Sequence, residues 1–132
     1  MSRKDVIREA VDSYFTGLAS KDFDQIRFAE DIRFRAPLAP GGVNRPITGR
    51  AAVKDEWWAP LPGLLGAVTR QGVYFDDELT GAVATAEIEV LMDPPVQLRV
   101  ADRFTVNDDG LIVEQENHFD PRDVTNPGWQ DT

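Results

Sequence analysis

The eleven residues VQLRVADRFTV, 96 to 106, alternate from end to end. Val96, Leu98, Val100, Phe104 and Val106 fall on one side together with Asp102; Gln97, Arg99, Ala101, Arg103 and Thr105 fall on the other. Only an extended strand puts every second side chain on one face, so the run commits this segment to a half-buried sheet. It also sets a single carboxylate, Asp102, among apolar residues. An unpaired charge in such a place is costly unless its pKa shifts until the group is neutral. Asp102 is therefore either structurally paired or functional.

Segments 67–76, 82–92 and 111–120 also have strand character, with turn signals DPP at 93–95 and NDDG at 107–110 between them. In the last strand, Leu111, Val113, Gln115, Asn117 and Phe119 share the more apolar face, and Ile112, Glu114, Glu116, His118 and Asp120 share the other. His118, the chain's one histidine, thus points with the carboxylates, as a surface ion pair would and as a general acid or base would not. Gln115 and Asn117 are two amides aimed at the core, and they need partners that a ligand can supply. The 82–92 strand divides less clearly. Ala82, Ala84, Ala86, Ile88 and Val90 lie on one side, with Val83, Thr85, Glu87, Glu89 and Leu91 on the other; polarity alone turns Glu87 and Glu89 to water.

The first half reads as helical. Ser2, three residues before Asp5, is a capping-box signal, and Ile7, Ala10, Val11, Tyr14 and Leu18 follow at helical spacing, with Tyr14 on the apolar face. The helix is expected to end near Ser20. DFDQIRFAE, 22 to 30, reads as a second, shorter helix, and DIRFRAP, 31 to 37, as a short strand. LAPGGVNRPITG, 38 to 49, is loop; RAAVKDEWW, 50 to 58, is a third short helix; APLPGLLG, 59 to 66, is an apolar loop. Of Trp57 and Trp58, adjacent on a helix and so about 100° apart, Trp57 is favoured as an inward residue by its spacing from Val53. Helices first and an antiparallel meander after them predict an α+β fold: three N-terminal helices on one face of a curved antiparallel sheet, in a single domain over residues 1–132. The tail RDVTNPGWQDT, polar except for Val124, Pro127 and Trp129, is expected to drape over the body.

A net charge of −9, from 23 acidic and 14 basic residues, argues against nucleic acid and anionic membranes as partners. The chain has no cysteine and one histidine, which argues against a metal site. Charges interrupt the N-terminal apolar residues, so no signal peptide is expected, and the protein is expected in the cytoplasm.

YFTGLASKDFDQI, FAEDIRFRAP, the loop to GRAAV, VADRF and NDDGLIVE, in this order, resemble the nuclear transport factor 2-like superfamily, which includes ketosteroid isomerases, SnoaL-like polyketide cyclases and limonene epoxide hydrolases. The resemblance implies a cone-shaped cavity opening near loops 38–49 and 59–66, no cofactor, and a homodimer through the outer sheet face. Tyr14 matches the isomerases' oxyanion-hole tyrosine and Asp102 their protonated oxyanion-hole aspartate. The isomerase base position holds Ala36, and the catalytic aspartate of the cyclases and hydrolases is replaced by Asn117. The hydrolases' arginine and second aspartate fall at Glu87 and Glu89. The isomerase spacing turns these two inward, against their polarity, and makes them the candidate bases.

These residues predict an enzyme acting on a small apolar ketone or polyketide-like molecule by proton transfer next to a carbonyl, of isomerase, cyclase or dehydratase type. Tyr14 and Asp102 would hold the oxygen and Glu87 or Glu89 would move the proton. Asn117, Gln115, Trp57, Phe119, Phe104 and Phe34 would bind substrate. The alternatives are an apolar-ligand-binding module without turnover and an interaction domain with a filled cavity.

Overall fold

The computed structural model describes residues 1–126. Helix α1 (Arg3–Ser20) lies over a six-stranded sheet of β1 (Phe28–Arg35), β2 (Ile47–Thr48), β3 (Leu65–Phe75), β4 (Gly81–Val90), β5 (Val96–Val106) and β6 (Ile112–His118). Two shorter helices are α2 (Arg50–Val53) and α3 (Arg122–Thr125). The strand order is β2-β1-β6-β5-β4-β3, and the sheet is not closed. All neighbours are antiparallel except β1 and β6, which run parallel. The α+β class is as expected; the sheet is mixed rather than wholly antiparallel. The tail residues Pro127 and Trp129 lie outside the described residues.

Helix α1 starts on a complete capping box: Ser2 Oγ accepts from the Asp5 amide, and Asp5 Oδ2 accepts from the Ser2 amide, both at 3.1 Å. It ends where Lys21 turns left-handed, at φ 59°. Gly17 lets the returning chain pass close, because a Cβ there would sit 2.5 Å from Ile26 Cγ1. Ile7, Ala10, Val11, Tyr14 and Leu18 are all buried against the sheet. Arg3 ties the start of the helix to the β3–β4 turn and the end of β5 by donating to the carbonyls of Leu79, Val106 and Asn107. Replacing Arg3 with methionine should cost about 1–3 kcal/mol, since it strips charged donors from three carbonyls at once; urea unfolding measures it.

The second helix expected over 22–30 is not formed. Asp22 caps a single 3-10 turn over Phe23–Gln25, and the chain then enters β1 at Phe28. A register shift against β6 between Phe28 and Arg33 breaks the alternation, so that Phe28 and Ala29 are both buried and Glu30 and Asp31 both exposed. That irregularity hid the strand. Likewise Ile47–Thr48, expected as loop, adds a short edge strand. The third helix is α2 followed by one wider π turn over Lys54–Trp58.

The β4–β5 pairing decides which face each residue takes. It runs without a bulge from Gly81↔Thr105 to Val90↔Val96. Residues directly opposite share a face. Asp102 opposes Ala84, so Ala82, Ala84, Ala86, Ile88 and Val90 face the core, where all five are buried. Glu87 opposes Arg99 on the outer face and lies 3.5 Å from it, and Arg99 is 86% exposed. Glu89 leans over Gly66 and accepts from the Ala67 amide at 3.4 Å, at a bulge of β3. The inward register expected for Glu87 and Glu89 is therefore overturned, and with it their place as bases. The alanine-rich face is the inner one, as polarity alone has it.

Candidate functional site

Inward alternation on three neighbouring strands builds two adjacent rows. Phe34 of β1, Gln115 of β6 and Phe104 of β5 stand side by side; one step along, Asn117 of β6 stands opposite Asp102 of β5. Tyr14 comes down on them from α1. Its ring lies 5.4 Å from Phe104 and stacks on Trp57 at 6.1 Å and 20°. The second row opens into a cavity of about 120 Å³, lined by Tyr14, Asp102, Asn117, Ala36, Trp57 and Phe119 with leucine and valine side chains. A volume like that is far below the ~300–1,000 Å³ of drug-sized sites and close to the ~150 Å³ void that takes one benzene.

Asp102 is 1% exposed, and its Oδ1 has no hydrogen-bond partner. Burial lifts its pKa well above the usual carboxylate range, opposed by the backbone amide of His118. Desolvation holds it in the neutral, proton-bearing form well beyond the pH at which a free aspartate ionises. Tyr14 is raised well above its ordinary value too, chiefly by burial and then by Asp102, with hydrogen bonds from Asn117 and Gln115 opposing. Two proton donors thus share one end of an apolar cavity.

Tyr14, Asp102, Asn117, Trp57 and Phe119 line the cavity; Gln115, Phe104 and Phe34 do not. The last three belong to the deeper row, where Phe34 supports Trp57 at 4.4 Å and Gln115 backs Asn117 at 2.8 Å. Glu87 and Glu89 are on the far side of the sheet. Trp58 packs on Phe23 at 5.5 Å, away from the cavity. Sequence reasoning did not name Leu18, Leu38, Leu61, Leu64 and Val124 as walls; Leu18 was marked by helical spacing, Leu38, Leu61 and Leu64 lie in the loops expected at the mouth, and Val124 is an apolar residue of the tail expected to drape over the body. Among the described residues, no group of histidine, aspartate and glutamate is placed to hold a metal ion.

His118 stands on the outer face, its side chain half exposed, 3.8 Å from Glu116, which also meets Arg103 at 3.5 Å. Replacing it with alanine should change stability by no more than ~0.5 kcal/mol and leave ligand binding within about twofold. Thermal melts and a titration check this.

A model of the SnoaL-like domain matches residues 11–115. The chain belongs to the SnoaL-like family. Its place in the nuclear transport factor 2-like superfamily agrees with solved structures of the same fold. A Mycobacterium tuberculosis protein in complex with estradiol-17β-hemisuccinate superposes with a TM-score of 0.74 at 16% identity, over 87% of this chain and 94% of that one. A Δ5-3-ketosteroid isomerase from Mycobacterium sp. gives 0.72 at 18%, over 87% and 93%. An epoxide hydrolase/cyclase-like enzyme of pyran ring formation in the polyether salinomycin gives 0.70 at 18%, over 89% and 90%. No curated protein matches this SnoaL-like chain significantly. At such identities the likeness establishes the fold of the domain, and its chemistry rests on the cavity.

Proposed function

We propose that this SnoaL-like domain binds a small, largely apolar carbonyl compound of about one ring, with the oxygen held by Tyr14 and neutral Asp102. The carrying observation is the cavity's composition: Tyr14, Asp102 and Asn117 lie together in an otherwise apolar lining. Donors fixed in a dry site polarise a carbonyl strongly. The family's isomerases and cyclases add a base, and here Ala36 and Asn117 occupy those positions while Glu87 and Glu89 face away. Binding with polarisation is therefore the leading reading.

Proton transfer next to the carbonyl, in the manner of an isomerase, cyclase or dehydratase, is the second reading. It is favoured by Asp102, the one carboxyl group among the described residues that line the cavity, which would have to serve as both acid and base. Cyclohexanone in deuterated buffer tests both. Binding, seen as a change in tryptophan fluorescence through Trp57, with no faster α-hydrogen exchange than in buffer, supports the first reading. Exchange accelerated ~10²-fold or more establishes the second. No binding removes both.

A homodimer through the outer sheet face belongs to the same proposal. That face carries Glu87 with Arg99 and Arg103 with Glu116, opposite charges side by side, which a two-fold axis can match to themselves. Sedimentation equilibrium checks it. Among the described residues no helix is long and apolar enough to cross a membrane.

A further inference from the structure

Gln115 does not reach the cavity, yet it is 2% exposed and belongs to the cavity's polar cluster. Its Nε2 donates to Asn117 Oδ1 at 2.8 Å, and Asn117 Nδ2 donates in turn to the Tyr14 hydroxyl oxygen at 3.3 Å. A side-chain amide has one accepting end and one donating end. With its oxygen taken by Gln115, Asn117 has its nitrogen left for Tyr14. A hydroxyl that accepts from the Asn117 amide on the protein side keeps its own hydrogen for the cavity. The reverse order, with Tyr14 donating to Asn117 and Asn117 to Gln115 Oε1, would leave both hydrogens of the buried Gln115 NH₂ unspent. The observed order leaves Gln115 Oε1 without a partner. It is the observed order, with Asn117 oriented by Gln115, that leaves the Tyr14 hydrogen to the cavity.

We propose that Gln115 is a positioning residue that fixes Tyr14 as a donor into the cavity, so that the polar end is built for an oxygen that can only accept, a carbonyl. The inference rests on the reading of the cavity as a carbonyl site and adds how its preference is set. Without Gln115, the Asn117 amide is free to turn and capture the Tyr14 hydrogen. A ketone then loses its bond to Tyr14. An alcohol does not, because its own hydroxyl can donate to the Tyr14 oxygen instead.

The test uses the matched probes cyclohexanone and cyclohexanol, titrated into the full chain and into Gln115→Met, which keeps the length of the side chain and removes its donors. Cyclohexanone should weaken about tenfold, the scale of one lost hydrogen bond, and cyclohexanol by no more than about twofold. In the unsubstituted protein the infrared carbonyl stretch of bound cyclohexanone should lie below its value in an apolar solvent, and Gln115→Met should move it part of the way back. Once Asn117→Leu has removed the intermediary, Gln115→Met should add no further change in the ratio of the two affinities. A structural role for Gln115 would weaken both probes alike and leave the stretch in place, and that result overturns the proposal. So does an unshifted stretch in the unsubstituted protein, which needs no variant to fold. If the unsubstituted protein binds neither probe, the carbonyl reading of the cavity falls and this proposal with it. If it binds both and their ratio ignores Gln115, this proposal alone falls.

Discussion

Asp102→Asn should stabilise the protein, and the gain should grow with pH. Burial raises the Asp102 pKa in the folded state above its ordinary value of 3.8. Between the two values the folded chain holds a proton that the unfolded chain has released, so stability falls as pH rises through that window. The slope is about 1.4 kcal/mol per pH unit until the folded group itself ionises. Asparagine has the same shape and nothing to ionise, so the difference between the two proteins opens above pH ~4 and widens until the folded Asp102 itself ionises. Asp5, Asp76 and Asp120, whose hydrogen bonds lower their pKa values, act in the opposite sense, losing their contribution as pH falls below 3.8. They are common to both proteins and cancel in the comparison. Urea unfolding at several values between pH 4 and 8 reads the difference. A gap that stays constant with pH would mean that Asp102 ionises like a free carboxylate, and the neutral donor at the end of the cavity would be lost. Asparagine keeps an N–H for a ligand oxygen, so ketone affinity should change much less than stability does.

Ala36→Asp should turn the binding cavity into a proton-transfer site. Ala36 follows directly on the end of β1, is 1% exposed and lines the cavity. In the isomerases that this chain resembles, that position holds the base. On the proposed reading, a carboxylate there would share the cavity with a ketone whose oxygen Tyr14 and Asp102 hold, and a positioned base contributes ~10²–10⁴-fold. Exchange of the α-hydrogens of cyclohexanone in deuterated buffer should therefore accelerate ~10²-fold or more, rising with pH as the new group ionises. The carboxyl would enter an apolar wall at a stability cost of ~1–3 kcal/mol. Ala36→Asn, equal in size and without a base, should pay a similar cost and show no acceleration. If Ala36→Asp binds cyclohexanone and leaves exchange at the solvent rate, the cavity does not present its ligand to this position.

Residues 96–106 declared their strand, its inner face and the lone carboxylate on it, because a period of two cannot be satisfied any other way. The same reasoning put Gln115 and Asn117 inward and His118 outward, where the structure has them. Helix α1 and its cap were equally local, since the spacing of Ile7, Ala10, Val11, Tyr14 and Leu18 and the pair Ser2 and Asp5 lie within a few turns. Residues 82–92 could not settle themselves. Polarity alone turned Glu87 and Glu89 to water, as the structure has them, while the isomerase spacing argued the opposite; the hydrogen-bond register with β5 decides between the two, since one residue of slip would exchange the faces. The bulge that ends the alternation at Glu30 and Asp31 is likewise a property of the parallel pairing with β6, far away in the chain. The polar cluster also belongs to tertiary structure. Tyr14 is separated from Asp102 and Asn117 by most of the sequence, and it is the descent of α1 onto β5 and β6 that makes it their neighbour. Periodicity tells which way a side chain points; what it meets there depends on strand partners and packing that no local pattern encodes.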